Sequence, residues 1–236
     1  MAQLANTPVV FPSRDNHAPE AGKKALKLLV IGATRGAGRE VARQGVAAGH
    51  AVTALARDPA RVEVSHERLT VLRGDVLDPA TLAPAMAGCD AVVSSLGVTS
   101  SFRAPTTLYS AGMQNIIQAM RAVGVTRLIA VTAAPLGPNE GTTLPGRLVN
   151  KLMWAFINEV YSDMARMEDE MSKSGLAWTI VRPPRLTNKP AIGRYRTEVN
   201  RSVRGGYSIA RADLAGALLK LLDDPASIQA AISIAY

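Results

Sequence analysis

Short runs of apolar residues alternate along this chain with stretches in which apolar positions recur every three or four residues. The runs are typical of strands buried on both faces, and the spaced pattern is typical of helices that bury one face. Strands are predicted over residues 28–31, 50–57, 69–76 (with its exit loop), 90–97, 127–132, 178–184 and 231–234. Helices are predicted to begin near residue 40 and to span 78–88, 106–122, 146–174 and 210–222.

Strand and helix signals follow one another without a break, which is the order of repeated β-α units. We therefore expect an α/β fold over residues 27–236: a single-domain, Rossmann-like, doubly wound parallel sheet with right-handed crossovers and helices on both faces. Residues 1–26 contain three prolines and scattered charges but no long apolar stretch. They are interpreted as a flexible N-terminal arm rather than a signal peptide.

The turn after the first predicted strand is rich in glycine. The strand 28–31 runs directly into Gly32-Ala33-Thr34-Arg35-Gly36-Ala37-Gly38, and a helical pattern follows at once. This order is the context in which the pyrophosphate of a dinucleotide binds at a helix N-terminus. Gly32 would allow the tight turn, Gly36 the close approach of the backbone to the pyrophosphate, and Gly38 the close packing of helix on sheet. The alternative is an ordinary strand-to-helix turn. The cofactor contacts predicted here are Gly32, Thr34, Arg35, Gly36, Ala37 and Gly38.

Two arginines bear on the choice between nicotinamide dinucleotides. Arg57 ends the second predicted strand about 20 residues beyond the glycines, where such folds place the residue that reads the adenosine ribose. An acidic residue there accepts from a free 2′-hydroxyl, whereas the planar fork of an arginine pairs with a 2′-phosphate. Arg35 could approach the same phosphate from the glycine turn. The sequence therefore favours NADP(H), and the neighbouring Asp58 is the feature that argues for NAD(H).

Composition and charge narrow the class of protein and its partners. The chain is 47% hydrophobic and has one cysteine, Cys89, which fits a globular protein of a reducing compartment, and we expect a cytoplasmic location. No apolar run reaches membrane-spanning length, so no membrane association is expected. The formal net charge is +8, but aromatic residues make up only 4%, and no dense Lys/Arg block indicates nucleic-acid binding. We expect a monomer or small homo-oligomer.

One region of the sequence is locally basic, with Arg182, Arg185, Lys189, Arg194, Arg196, Arg201, Arg204 and Arg211. A solvated surface is the ordinary explanation for such residues. The alternative is that some of them rim the mouth of an active site and attract a small anionic substrate. The loops 98–105 and 135–145 are expected to shape that pocket, and Trp154 and Phe156 either line it or pack in the core.

Several segments together resemble the atypical short-chain dehydrogenase/reductase superfamily: GATRGAG, ARD, RGDVLD and SSLG after the first four strands, and SGLAWTIVRPP around the sixth. Within it, the chain is similar from residue 27 onward, including a later ARADLA segment, to the NAD(P)H-binding group. This group contains biliverdin-IXβ reductase/flavin reductase and the nitrogen-metabolite-repression regulators. The resemblance implies that Asp75 and Val76 flank the adenine and that Leu96 and Gly97 lie along the cofactor. It places Thr132, Ala133, Pro184 and Arg185 beside the nicotinamide.

The sequence departs from the standard members of that superfamily, which use a Ser and a Tyr-x-x-x-Lys frame for proton transfer. Ala133 stands where the serine is expected, and Ala165 replaces the lysine four residues after Tyr161. Tyr161 is also about one residue out of the family register, which turns a helical side chain by about 100°. We therefore interpret Tyr161 as a half-buried helix aromatic rather than a positioned acid.

Without that proton donor, an acceptor that spreads its new charge over a conjugated system is favoured over a simple ketone. The sequence thus predicts an NADPH-dependent reductase of a flavin, a quinone or a linear tetrapyrrole, acceptors that are anionic in the group it resembles. The alternative is an NADP(H)-binding redox sensor or regulatory protein with little or no turnover. Epimerase or dehydratase chemistry on a nucleotide-sugar needs the missing Tyr-Lys pair and is the least favoured.

Overall fold

A computed structural model of the chain describes residues 24–97, 106–138 and 143–236, without some side chains near the start of the longest helix. The strands in these ranges are β1 (Lys27–Ile31), β2 (Ala51–Ala56), β3 (Leu69–Arg73), β4 (Ala91–Ser94), β5 (Arg127–Val131), β6 (Ala177–Arg182), β7 (Arg185–Thr187), β8 (Arg196–Val199), β9 (Ser208–Ala210) and β10 (Ala230–Ala235). The helices are α1 (Gly36–Ala47), α2 (Leu82–Met86), α3 (Leu108–Val123), α4 (Leu144–Ser172) and α5 (Arg211–Leu221).

The strands form a Rossmann-like sheet in the order β3-β2-β1-β4-β5-β6-β10-β8. All neighbours from β3 to β10 pair in parallel, which confirms the α/β fold predicted from the sequence. The edge strand β8, which the sequence did not predict, is antiparallel to β10. The short strands β7 and β9, which were also not predicted, pair with each other outside the main sheet.

Two apolar layers cover the sheet. One packs α1 and α5 against side chains such as Leu28, Val30 and Ile232. The other packs α2, α3 and α4 against the opposite face, with Leu29, Val92 and Leu128 among its residues. Because both faces are buried, the strands have the continuous apolar sequences typical of parallel sheets.

Helix boundaries differ from the prediction in two places. Residues 78–88 form a 3₁₀ turn, Pro79–Thr81, followed by the short α2, and the carboxylate of Asp78 accepts from the Ala80 amide at 3.2 Å. The long helix α4 has non-helical torsion angles at Ile157 (φ −130°, ψ 30°), so it bends there. No helix in the described ranges is both long enough and apolar enough to cross a membrane.

A buried carboxylate joins α4 to the start of α3. Asp163 is fully buried and accepts a hydrogen bond from the Tyr109 amide at 2.8 Å and another from the Ser110 hydroxyl. The first amides of a helix have no partner within the helix and carry partial positive charge, so they stabilise a carboxylate. This contact fixes the position of the second half of α4 relative to the sheet.

Candidate active site

A groove of about 340 Å³ runs along the carboxyl ends of the central strands. Open α/β sheets bind their ligands at this edge. The groove brings together most of the residues predicted to hold a dinucleotide: Gly32, Thr34, Arg35, Gly36, Ala37, Arg57, Asp75, Val76, Leu96, Gly97 and Thr132. The sequence had assigned these positions in separate turns, and the fold places them along one surface.

Two glycines allow the close approach of backbone segments where the groove begins. Gly32 has φ of +86°, and a Cβ there would stand 2.2 Å from the Ser95 carbonyl oxygen. A Cβ on Gly38 would stand 2.3 Å from the carbonyl oxygen of Gly32. No side chain fits at either position, so the N-terminus of α1 lies directly against the end of β1. The space left open at this N-terminus fits a dinucleotide pyrophosphate.

Gly38, unlike Gly32 and Gly36, does not line the groove. It is buried beneath the loop and is not part of the groove wall, so its contribution is to helix packing. This is the geometry that the sequence predicts for the last glycine of such a turn.

The adenosine end of the groove is cationic. Arg57 and Arg61 are exposed there, and Arg35 lies in the same wall. Arg61 belongs to a 3₁₀ turn, Pro59–Arg61, that the sequence analysis did not identify. The carboxylate of Asp58 caps this turn by accepting from the Ala60 amide at 3.2 Å. Asp58 also lines this wall, beside the three arginines.

A second cavity of about 420 Å³ adjoins the groove. The segments after β5 and β6 border both spaces: Thr132 and Leu186 line the groove, whereas Ala133 and Arg185 line the cavity. The Ala134 amide donates to the Pro183 carbonyl at 2.9 Å, which holds the two segments together. In each segment, a residue that lines the groove is therefore the sequence neighbour of a residue that lines the cavity.

The cavity wall is largely apolar, and its ionisable side chains are basic or phenolic. Its described lining consists of Ala133, Ala134, Pro135, Thr143, Gly146, Tyr161, Arg182, Pro183, Pro184, Arg185, Ser202, Val203, Gly205, Gly206, Tyr207, Ser233, Ile234 and Ala235. This lining contains no carboxylate side chain. Hydrogen bonds between Thr143 and Tyr207 (3.0 Å) and from Ser202 to the Pro138 carbonyl (2.7 Å) connect the walls on opposite sides.

A largely buried ion pair links the wall of the groove to the wall of the cavity. Arg182 donates from Nε and Nη2 to the two carboxylate oxygens of Glu168, at 3.0 and 2.6 Å. The Thr132 hydroxyl donates to Oε1 of the same carboxylate at 2.7 Å. The ion pair neutralises the charge of Arg182. Because Thr132 uses its hydroxyl hydrogen in the bond to Glu168, the lone pairs of the Thr132 oxygen remain available as acceptors. The sequence analysis did not identify Glu168, because its partners are 14 and 36 residues away.

Tyr161 lies in the cavity wall. Its side chain is only 7% exposed, and burial raises the pKa of its hydroxyl. The interpretation as a half-buried helix aromatic therefore needs correction, since the residue is buried and borders the candidate substrate space. A raised pKa makes the phenol a weaker acid, and Ala165 supplies no charge to lower it.

Other predicted residues are distributed differently from expectation. Pro184, predicted at the nicotinamide end of the cofactor, lines the cavity beside Arg185. Arg196 donates to the backbone carbonyls of Arg204 and Tyr236, and Arg211 lines the groove, so the basic region is not one surface. Phe156 is 57% exposed. The loop 98–105 and the side chain of Trp154 lie outside the described part of the structure, as do residues 139–142 of the other loop.

Comparison with known proteins identifies the family. A model of the NAD(P)H-binding family matches residues 32–225, which include the groove, the glycine-rich turn and the ion pair. The chain belongs to this family. Its cofactor is accordingly a nicotinamide dinucleotide, and the narrower likeness to biliverdin-IXβ reductase/flavin reductase stays a prediction.

Individual relatives are consistent with this assignment. The chain is 29% identical over 202 residues to an uncharacterized chloroplastic protein of Arabidopsis thaliana, covering 81% of this chain and 70% of the relative. It is 30% identical over 145 residues to a cinnamoyl-CoA reductase of rice, covering 57% of this chain but only 42% of the reductase. A short-chain dehydrogenase/reductase of Veillonella parvula, solved in complex with NADP, has the same fold, with 18% identity, a TM-score of 0.76 and coverage of 90% and 95%.

Proposed function

We propose that this protein is an NADPH-dependent reductase that delivers hydride to a conjugated, anionic acceptor. The observation that carries the proposal is the position of the cavity, one residue along the backbone from the cofactor groove, with two arginines and no carboxylate in its described lining. A dinucleotide in the groove supplies the hydride, and the cavity is the space next to it where an acceptor fits.

The preference for NADPH rests on the cationic end of the groove. Arg57 and Arg61 stand where the 2′-phosphate of an NADP(H) ribose would lie, and Arg35 borders the same space. Each can form charge-assisted hydrogen bonds with phosphate. Asp58, the residue that would suit a free ribose hydroxyl, also lines the groove, but it is a single carboxylate beside three arginines. The local balance of charge at this end of the groove therefore favours the phosphorylated dinucleotide.

The negative charge assigned to the acceptor rests on Arg185, because the other arginine of the cavity is already paired with a carboxylate. Arg182 is neutralised by Glu168. Arg185 lines the cavity and is exposed, and no carboxylate in the described ranges pairs with it. An arginine stays charged at neutral pH, so Arg185 can hold a phosphate or a carboxylate but is not a proton donor.

Chemistry without a strong acid suits a conjugated acceptor. Reduction of a simple ketone creates an alkoxide that needs an acid or an oxyanion donor in the transition state. In a flavin, a quinone or a linear tetrapyrrole the new charge is delocalised, and solvent can protonate the product. The protein then has to orient the acceptor beside the cofactor and exclude bulk water, which the apolar cavity can do.

The test is an NADPH oxidation assay with flavins, quinones, biliverdin and simple ketones as acceptors. The expected result is turnover with one of the conjugated acceptors and none with the ketones. Tight NADPH binding without turnover of any acceptor would instead favour the redox sensor or regulatory protein. Turnover of ketones with an essential Tyr161 would contradict the proposed chemistry.

A further inference from the structure

The ARADLA segment, residues 210–215, contains an arginine to which the proposed function assigns no role. Arg211 is the first residue of α5, and its side chain crosses to the glycine-rich turn at the start of α1. The point where a Cβ on Gly36 would stand is 3.7 Å from Nε of Arg211. The guanidinium therefore lies in the part of the groove that contains the first backbone amides of α1.

The surroundings of this guanidinium leave its charge available. Nη1 donates to the side-chain oxygen of Asn188 at 2.7 Å, a neutral partner. No acidic side chain in residues 24–97, 106–138 or 143–236 forms an ion pair with Arg211, whereas Arg39 and Arg43, on the neighbouring α1, pair with Glu63 and Glu40. A cation that keeps its charge beside a phosphate-binding turn is well placed to contact a phosphate.

Asp213 fixes the backbone from which Arg211 projects. It is 4% exposed, and its two carboxylate oxygens accept from the amides of Ile192 and Gly193, each at 2.8 Å. The Tyr236 hydroxyl donates to the same carboxylate and accepts from the Ala210 amide at 3.0 Å. The turn before α5 is thus held on both sides, and Asn188 holds the tip of the arginine.

We propose that Arg211 binds the pyrophosphate of the cofactor, opposite the glycine-rich turn, with Asn188 and Asp213 as positioning residues. The pyrophosphate is chosen over the 2′-phosphate because Gly36 opens α1, and anions bind at such helix N-termini. The two arginines on which the 2′-phosphate assignment mainly rests, Arg57 and Arg61, follow β2 instead. The proposal depends on the NAD(P)H binding that the family shows and not on the identity of the acceptor.

The experiment is equilibrium binding of NADPH and NADH, measured by calorimetry or cofactor fluorescence without any acceptor. Arg211→Ala is compared with Lys220→Ala, which removes an exposed cation from the last turn of the same helix. Both dinucleotides contain the pyrophosphate, so we expect Arg211→Ala to weaken both by the same factor, about tenfold or more. Lys220→Ala should leave both dissociation constants unchanged, and Arg211→Lys should restore part of the loss.

Two results would overturn the assignment. Unchanged affinity for both dinucleotides in Arg211→Ala would show that the arginine does not contact the cofactor. A loss confined to NADPH would place it at the 2′-phosphate instead. Thermal unfolding checks that the variants are folded, and if Arg211→Ala is not, Arg211→Gln provides the same comparison with a neutral side chain able to bond Asn188. Failure of the acceptor assay leaves these binding results unaffected.

Discussion

Substitution of Gly38 by alanine tests the packing on which the cofactor groove depends. The new Cβ would stand 2.3 Å from the carbonyl oxygen of Gly32, against 3.4 Å or more for ordinary contact, so α1 must retreat by about 1 Å. The obstacle is backbone, which no rotamer change can relieve. Gly38→Ala therefore forces the helix away from the end of β1.

The expected size of the effect follows from this displacement. Overpacking costs about 1–3 kcal/mol, and the better helix propensity of alanine returns about 0.5–1 kcal/mol, so we expect a net loss of about 0.5–2 kcal/mol in the free energy of unfolding. For a chain of this size that lowers Tm by about 1–8 °C. Retreat of the helix amides by about 1 Å also takes them out of hydrogen-bonding range of a phosphate, so NADPH affinity should fall about tenfold or more.

The assays are thermal unfolding and NADPH titration, with Gly216→Ala in α5 as the matched control. A Cβ on Gly216 meets only the end of the Gln44 side chain, at 3.2 Å, which can move. The control should be neutral or slightly stabilised, with unchanged NADPH affinity. If Gly38→Ala behaved like the control in both measurements, the proposed close contact between α1 and β1 would be refuted.

Three further variants test the roles assigned along the groove and the cavity. Arg57→Ala should weaken NADPH by about 1.5–3 kcal/mol in a binding titration while NADH is unaffected, and an unchanged ratio of the two affinities would remove Arg57 from the 2′-phosphate. Tyr161→Phe should leave kcat within the same order of magnitude for a conjugated acceptor, since loss of a general acid would cost about 10²–10⁴-fold. Arg185→Ala should raise KM for anionic acceptors only, and the kcat/KM of the unmodified protein should fall with rising salt, whereas equal losses on neutral acceptors would argue against an anionic substrate.

The sequence was most informative where structure depends on local pattern. Apolar runs located the parallel strands, and the glycine turn located the cofactor groove, because buried strands and helix N-termini have strong local signals. The strands β7, β8 and β9 were missed because they are three or four residues long. Their pairing depends on partners that lie far along the chain, such as β10 for β8.

The same limit applies to the site. Glu168 joins Thr132 and Arg182 across two long intervals, and no spacing rule connects them. The sequence indicated Arg211 as one of several basic residues and as part of the ARADLA segment, but it did not place it at the groove, which requires the packing of α5 beside α1. The proximity of Tyr161 to the cavity likewise depends on how α4 is held, through Asp163, against α3.

The division between groove and cavity has a consequence for how this protein could diversify. The walls of the cavity come mainly from residues 133–135, 182–185 and 202–207, whereas the glycine-rich turn and the ends of β2 and β3 belong to the groove alone. Substitutions at the cavity residues 202–207 can reshape the cavity without touching the glycine-rich turn or the residues that position Arg211. Under the proposed function, acceptor range and cofactor preference are therefore separable traits, and a change of acceptor at constant cofactor use is the evolutionary change that this architecture most readily permits.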